Sequence, residues 1–159
     1  MYSFDASSMV HAWDKYPIKN THFESLWVWI AGQINCENFS MPEIALTETT
    51  SKAPECGEWI KSHNIKRHQI TPNILAHAIS MKGLLGIEEE AYGRGVGEND
   101  LLIIATAKEL GLLLVSEENL QPALPSNIKN YKIPAVCALP GVNVQCIDFT
   151  DLIKKDIDT

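Results

Sequence analysis

The chain has 159 residues, a net charge of −7 and a pI near 5.2. That acidity excludes a broad basic nucleic-acid surface, so any nucleic-acid contact needs a local basic patch or a partner chain. With 45% hydrophobic and 21% charged residues, the composition is ordinary for a globular protein and predicts one domain over 1–159 with a sizeable core. No apolar run reaches membrane-spanning length. Asp5 lies near the start and no long apolar stretch follows, so the N-terminus does not read as an export signal. Cys36, Cys56, Cys137 and Cys146 form neither a CxxC pair nor a zinc spacing. They read as reduced, packing thiols of a cytoplasmic protein.

In chain order, residues 2–4 form a short strand that Asp5 closes. Ala6-Ser7-Ser8 is a turn able to cap a helix carrying Met9, Val10 and Trp13. Tyr16-Pro17 ends that helix. From His22 to Ile34 the apolar residues Phe23, Leu26, Trp27, Ile30 and Ile34 recur at helical spacing, with Trp29 off the stripe. Asn38–Met41 is a candidate strand, and Pro42 suits the first turn of the helix that follows. Ala53-Pro54 breaks it before a further helix, Cys56–His63. The charged run Ile65–Ile70 reads as an edge strand. Thr71-Pro72 is a helix start, with Ile74, Leu75, Ala78, Ile79 and Leu85 on its buried side.

Gly86–Gly97 is irregular. Gly93, Gly95 and Gly97 lack both the Walker pattern and a preceding strand, so the stretch reads as a mobile loop rather than a phosphate cradle. Next comes GENDLLIIATAKELGLLLVSEE, Gly97–Glu118. Asp100 opens an apolar helix to Leu110, and Gly111 suits a left-handed cap. Leu112–Val115 is a continuous apolar run, as expected of a strand buried on both faces. Ile133–Val136 and Val144–Phe149 are candidate late strands, and 151–156 a terminal helix. The alternation predicts a three-layer α/β/α domain with a mainly parallel sheet and right-handed crossovers.

Ligands of such sheets bind beyond the carboxyl ends of the strands. Asp5 and Glu117-Glu118 stand there, and Asp100 stands at a helix start. Hard divalent cations take oxygen ligands and keep several waters, so two or three carboxylates suffice. Grouping like charges is unfavourable unless a cation is bound. The five histidines show no HExxH or paired spacing and read as surface or packing residues.

Asp5 with Ser7, the helix acid Glu48 and the GENDLLIIATA…LLLVSEE stretch resemble a PIN-domain nuclease. They are similar to VapC-type toxins, and closest to a PIN-like branch catalogued as a domain of unknown function. The resemblance covers roughly residues 2–120, and PAVCALPGV near the C-terminus also looks like that branch. It implies that Asp5, Glu48, Asp100 and Glu118 are catalytic, with Ser7 and Ser116 supporting. It further implies Mg2+ or Mn2+ on Asp5, Asp100 and Glu118, and hydrolysis of RNA phosphodiesters. A small antitoxin covering the cleft and a homodimer are implied as partners. Between the two acids of the third helix, Glu48 is taken over Glu43, because an acid in a first turn complements the helix dipole. Arg94 and Lys108 lie near the acids in sequence and are candidate phosphate contacts. Ala6, Ser116 and Glu118 depart from the threonine, threonine and aspartate of the PIN pattern. A PIN-like module that binds nucleic acid or protein without cleaving is therefore the alternative. A receiver-like domain lacks its paired acids here, and a haloacid-dehalogenase pattern fails because Ser7 stands where the second aspartate belongs.

Overall fold

The computed structural model describes residues 1–157. Five strands form one sheet: β1 (Tyr2–Phe4), β2 (Phe39–Pro42), β3 (Lys66–His68), β4 (Leu113–Val115) and β5 (Cys146–Ile147). Their order is β3-β2-β1-β4-β5, and every pair is parallel. Among the described residues eight α-helices join and cover them: α1 (Ala6–Lys15), α2 (Glu24–Asn35), α3 (Glu43–Lys52), α4 (Pro54–Ser62), α5 (Pro72–Leu84), α6 (Glu98–Leu110), α7 (Ile133–Cys137) and α8 (Phe149–Ile157). The result is a three-layer α/β/α architecture.

The central strands are apolar because both faces of a parallel sheet are covered. Phe4, Phe39, Met41, Leu114 and Val115 are fully buried, and the rings of Phe4 and Phe39 meet at 4.7 Å. By contrast, β3 exposes Lys66 and Arg67, and charges on an outer strand discourage pairing with another chain. α6 buries Leu101, Ile103, Ile104, Ala105 and Ala107, with each fully buried large aliphatic worth roughly 1.5–3 kcal/mol. Gly111 ends that helix at φ 64°, ψ 33°. The Leu112 amide then donates to the Ala107 carbonyl at 2.9 Å, the long bond of a Schellman cap. This tight stop turns the chain directly into β4, whose residues Leu113–Val115 lie opposite Tyr2–Phe4.

Several sequence expectations change. Ile133–Val136 is not a strand but most of α7, with Pro134 in its first turn. The Val144–Phe149 strand shrinks to Cys146–Ile147, since Phe149 already begins α8. Ala6–Ser8 is no separate turn; it is the first turn of α1. α6 starts at Glu98, which places Asp100 at its third position. Leu75 and Ile79 are 48% and 62% exposed; α5 buries Ile74, Ala78 and Met81 instead. The glycine-rich loop is docked rather than loose. Val96 N–H donates to the Tyr131 carbonyl at 2.9 Å and Arg94 N–H to Asn130 Oδ1 at 2.9 Å. A Cβ at Gly95 would overlap the Tyr131 carbonyl, so only glycine allows this approach.

Candidate active site

The register of β1 on β4 pairs Phe4 with Val115, so the next residues, Asp5 and Ser116, emerge side by side at the carboxyl edge. Asp5 is buried at 4% exposure. It occupies the N-cap position of α1, where an aspartate ordinarily accepts amides of the first turn. Here its side chain makes no such bond. Instead Asp5 Oδ2 accepts from Ser7 Oγ at 2.7 Å and from Ser116 Oγ at 2.9 Å. Ser8 Oγ ties down the backbone, donating to the Asp5 carbonyl at 2.7 Å and to the Val115 carbonyl at 3.0 Å. Hydrogen bonds to a charged group contribute about 1.5–3 kcal/mol each. The two serines also organise the next loop: Glu117 N–H donates to Ser7 Oγ at 3.0 Å and Glu118 N–H to Ser116 Oγ at 3.3 Å.

Asp100 arrives from the start of α6. Its Oδ2 accepts the Gly97 amide at 2.9 Å, one half of a capping box whose reciprocal bond glycine cannot make. Burial pushes the Asp100 carboxyl up to about 6, and the Gly97 amide opposes that rise. The carboxylates of Glu118, Asp5 and Glu48 add to it. Asp100 on α6 therefore feels acids that come from α3 and from the ends of β1 and β4.

The two acids of α3 diverge. Glu48 Oε1 receives Lys52 Nζ at 2.7 Å, one turn along the same helix. Glu43 instead faces the sheet edge, 3.6 Å from Arg67 on β3. Glu118 Oε2 accepts the Ile133 amide at 3.0 Å and so anchors the start of α7. Glu117 accepts the Phe149 amide at the start of α8, and its other oxygen lies 3.7 Å from His11 Nδ1. Beside the acids opens a cleft of about 740 Å³ whose lining includes Ser7, His11, Trp13, Lys52 and Glu117.

Asp100 feels the charges of Glu118, Asp5 and Glu48, and Ser7 and Ser116 are bonded to Asp5. It does not bring Lys108 among them. That residue lies in the last turn of α6, and its ammonium donates to the Val142 carbonyl at 2.6 Å, near Met1 and Leu112 at the opposite end of the sheet. Arg94 is exposed on the docked loop. Lys52 and His11 went unread in sequence as site residues. For Lys52 the sequence shows only its position one helical turn after Glu48. For His11 there was none, because Glu117 meets it across the fold.

The donor set is all oxygen, as magnesium or manganese requires. Asp100's raised proton affinity comes first from burial, with the charges of Glu118, Asp5 and Glu48 adding to it. As they stand, no three of the described His, Cys, Asp or Glu side chains form a ready ligand set. Glu48 and Glu118 each spend an oxygen on a protein donor.

A five-stranded parallel sheet in this order, covered by helices on both faces, is the three-layer α/β/α, PIN-like fold. Residues 2–157 match the family described as "Domain of unknown function (DUF4411)", and the chain belongs to that family. No curated protein sequence matches it. The crystal structure of PAE2754 from Pyrobaculum aerophilum is similar at TM-score 0.57 and 14% identity, covering 99% of this chain and 97% of that one. VapBC2 from Rickettsia felis, bound to a DNA fragment from its promoter, matches at 0.54 and 17%, covering 93% and 98%. FitAB bound to an IR36 DNA fragment matches at 0.54 and 10%, covering 93% and 94%. At these identities the likeness is one of fold.

Proposed function

We propose that this chain is a metal-dependent endoribonuclease, the toxin of a toxin–antitoxin pair acting in the cytoplasm. One observation carries the reading: Asp100, raised to about 6 by burial and by three other carboxylates, beside a buried Asp5 that is held by two serines and caps nothing. A divalent ion held by Asp5, Asp100 and Glu118 would supply an activated water and screen charge on the phosphate. Ser7 and Ser116 fix the Asp5 carboxylate, and Gly97 fixes that of Asp100. Glu48 helps position the water from the α3 side. The cleft beside the acids is roomy enough for a nucleotide of the RNA.

The likeness to VapBC2 and FitAB supports a small antitoxin partner. It would cover the acidic cleft and insert an arginine or lysine there, since a cation can replace the metal's charge. A homodimer is proposed on the same likeness. No helix among the described residues is long and apolar enough to cross a membrane.

A binding module that does not cleave is the second reading. It is favoured by the commitment of Glu48 to Lys52 and of Glu118 to the Ile133 amide. Cleavage of total cellular RNA separates the two. With Mn2+ present, wild type should cut. Asp5→Asn and Asp100→Asn should lose more than the roughly 10–100-fold that an outer partner of a metal site is worth, while keeping the fold. Chelator should abolish the wild-type pattern. Identical RNA patterns from wild type and Asp100→Asn would leave only the binding module standing.

A further inference from the structure

Two of the four cysteines meet in the fold, although nothing in their spacing pairs them. Cys137 is the last residue of α7 and is 1% exposed. Cys146 opens β5 and is half-buried. Between them the chain doubles back in a tight turn. Val142 N–H and Asn143 N–H both donate to the Leu139 carbonyl, at 2.9 and 2.8 Å, and Val144 N–H reaches back to the Cys137 carbonyl at 3.0 Å. From there the chain runs extended into β5: Leu114 N–H donates to the Gln145 carbonyl at 2.9 Å, and Cys146 lies opposite Leu114. Side chains two apart in an extended chain share a face. Cys146 therefore shares the face of Val144, which is buried at 8% exposure, and α7 packs against β5. Both thiols are free, and they are in hydrogen-bonding contact. That bond, ahead of burial, pushes the Cys137 thiol up. The other two cysteines belong elsewhere: Cys36 is exposed at the end of α2, and the Cys56 thiol faces the Met9 carbonyl at 3.8 Å.

The unit that carries the pair is also fastened to the acids beyond β4. Its first helical amide, Ile133 N–H, donates to Glu118 Oε2 at 3.0 Å, and Phe149 N–H, just after β5, donates to Glu117. We propose that Cys137 and Cys146 are a redox modification site, joined by a peroxide into a reversible disulfide that locks α7 onto β5 and steadies the Ile133–Glu118 bond. The inference does not depend on the nuclease reading. Cys146 is the more exposed thiol and meets the oxidant first. Its thiolate sulfur attacks a peroxide oxygen, the O–O bond breaks, and a sulfenic acid and one water result. The Cys137 sulfur then attacks the Cys146 sulfur. The S–S bond forms as the S–O bond breaks, and the departing hydroxide takes the Cys137 proton as a second water. Two thiols have lost two electrons and one peroxide has gained them. An external thiol reverses the bond by exchange.

The test takes the full chain, reduced and then treated with hydrogen peroxide under native conditions, quenched, alkylated and mapped by mass spectrometry. One linked pair is expected, Cys137 with Cys146, while Cys56 stays alkylated; dithiothreitol should restore both thiols. In Cys137→Ser the reaction should stop at a Cys146 sulfenic acid that dimedone traps. Amide exchange at Ile133 should slow by about tenfold in the oxidised chain, because opening of α7 then has to carry β5 with it. Cys146→Ser, treated alike, should keep its untreated rate. Cys137 and Cys146 both alkylated after Cys36 has been oxidised overturns the inference, as does a Cys146 sulfenic acid that persists in wild type. A disulfide that forms while Ile133 exchanges at its reduced rate overturns the lock. If Cys137→Ser does not fold, the wild-type map and the exposed-side variant Cys146→Ser still decide. None of these readouts involves RNA cleavage, so failure of the nuclease reading leaves them standing.

Discussion

The helix α6 carries an acid at each end, and the two behave contrary to the helix dipole. The dipole favours an acid near the N-terminus and disfavours one near the C-terminus, by about 0.3–1 kcal/mol. Asp100, in the first turn, has its carboxyl raised to about 6. Glu109, in the last turn, is held below the usual carboxylate range. Local partners decide both cases. Glu109 accepts from Asn73 Nδ2 at 3.0 Å and lies 2.7 Å from His77 Nε2, both on α5. Asp100 has one amide, partial burial and three carboxylates in range. One end of the helix is therefore a satisfied polar clamp between neighbours. At the other end Asp100 is half-buried with one amide donor and feels the charges of Glu118, Asp5 and Glu48.

The sharpest way to break this comparison is to neutralise the strained end. In Asp100→Asn the amide oxygen can still accept from Gly97, while a like charge leaves the cluster. Because the folded pKa of Asp100 lies above its unfolded value, the folded state holds that proton more tightly. Stability from this group is present below about pH 4 and is lost as pH rises to about 6. The variant should thus unfold at higher urea than metal-free wild type at pH 7.5, by about 1–2 kcal/mol after allowance for partial exposure. At pH 4 the two should coincide. A loss of stability at pH 7.5 would mean that Asp100 is a structural cap. Adding Mn2+ should reverse the order, because only wild type gains from the ion.

A smaller effect tests whether the acids truly share a field. In Asp5→Asn, the Asp100 titration followed by carboxyl NMR should move down but stay above the ordinary aspartate range, because burial is the larger cause. An unmoved midpoint would place Asp5 outside the cluster.

Much of the strained end was readable from the chain. A strand closing on Asp5, a buried apolar run closing on Ser116 and Glu118, and a glycine stop between helix and strand are local patterns of the backbone. The parallel register then brings them together without further information. What was not readable depends on groups distant in sequence. Ile133–Val136 looks like a strand because four apolar residues have no period. It is helical because Pro134 sits in the first turn and Glu118 takes the Ile133 amide, a contact fifteen residues back. Leu75 and Ile79 follow helical spacing as well as the buried residues do, so periodicity alone could not say which face of α5 meets the core. The pairing of Lys52 with Glu48 carries no functional signal in the sequence, because an i, i+4 Glu–Lys pair reads as surface chemistry.

The satisfied end supplies the smallest expected effect, and its smallness is the point. Glu109 sits half-buried at the surface beside α5, where solvent still screens it, so its partners shift its titration without much consequence for folding. Its folded pKa is lowered; the stability it lends is present above the usual glutamate value and is lost as pH falls through the lower folded one. In Glu109→Gln the side-chain oxygen can still accept from Asn73, and only the charge facing His77 goes. Thermal unfolding at pH 7 should therefore match wild type within scatter. The decline in Tm on acidification should be slightly shallower in the variant, since one carboxylate fewer must be protonated. A clear loss at pH 7, comparable to the gain in Asp100→Asn, would show that the clamp at the end of α6 holds α5 in place. The contrast between a structural end and a functional end would then have to be redrawn.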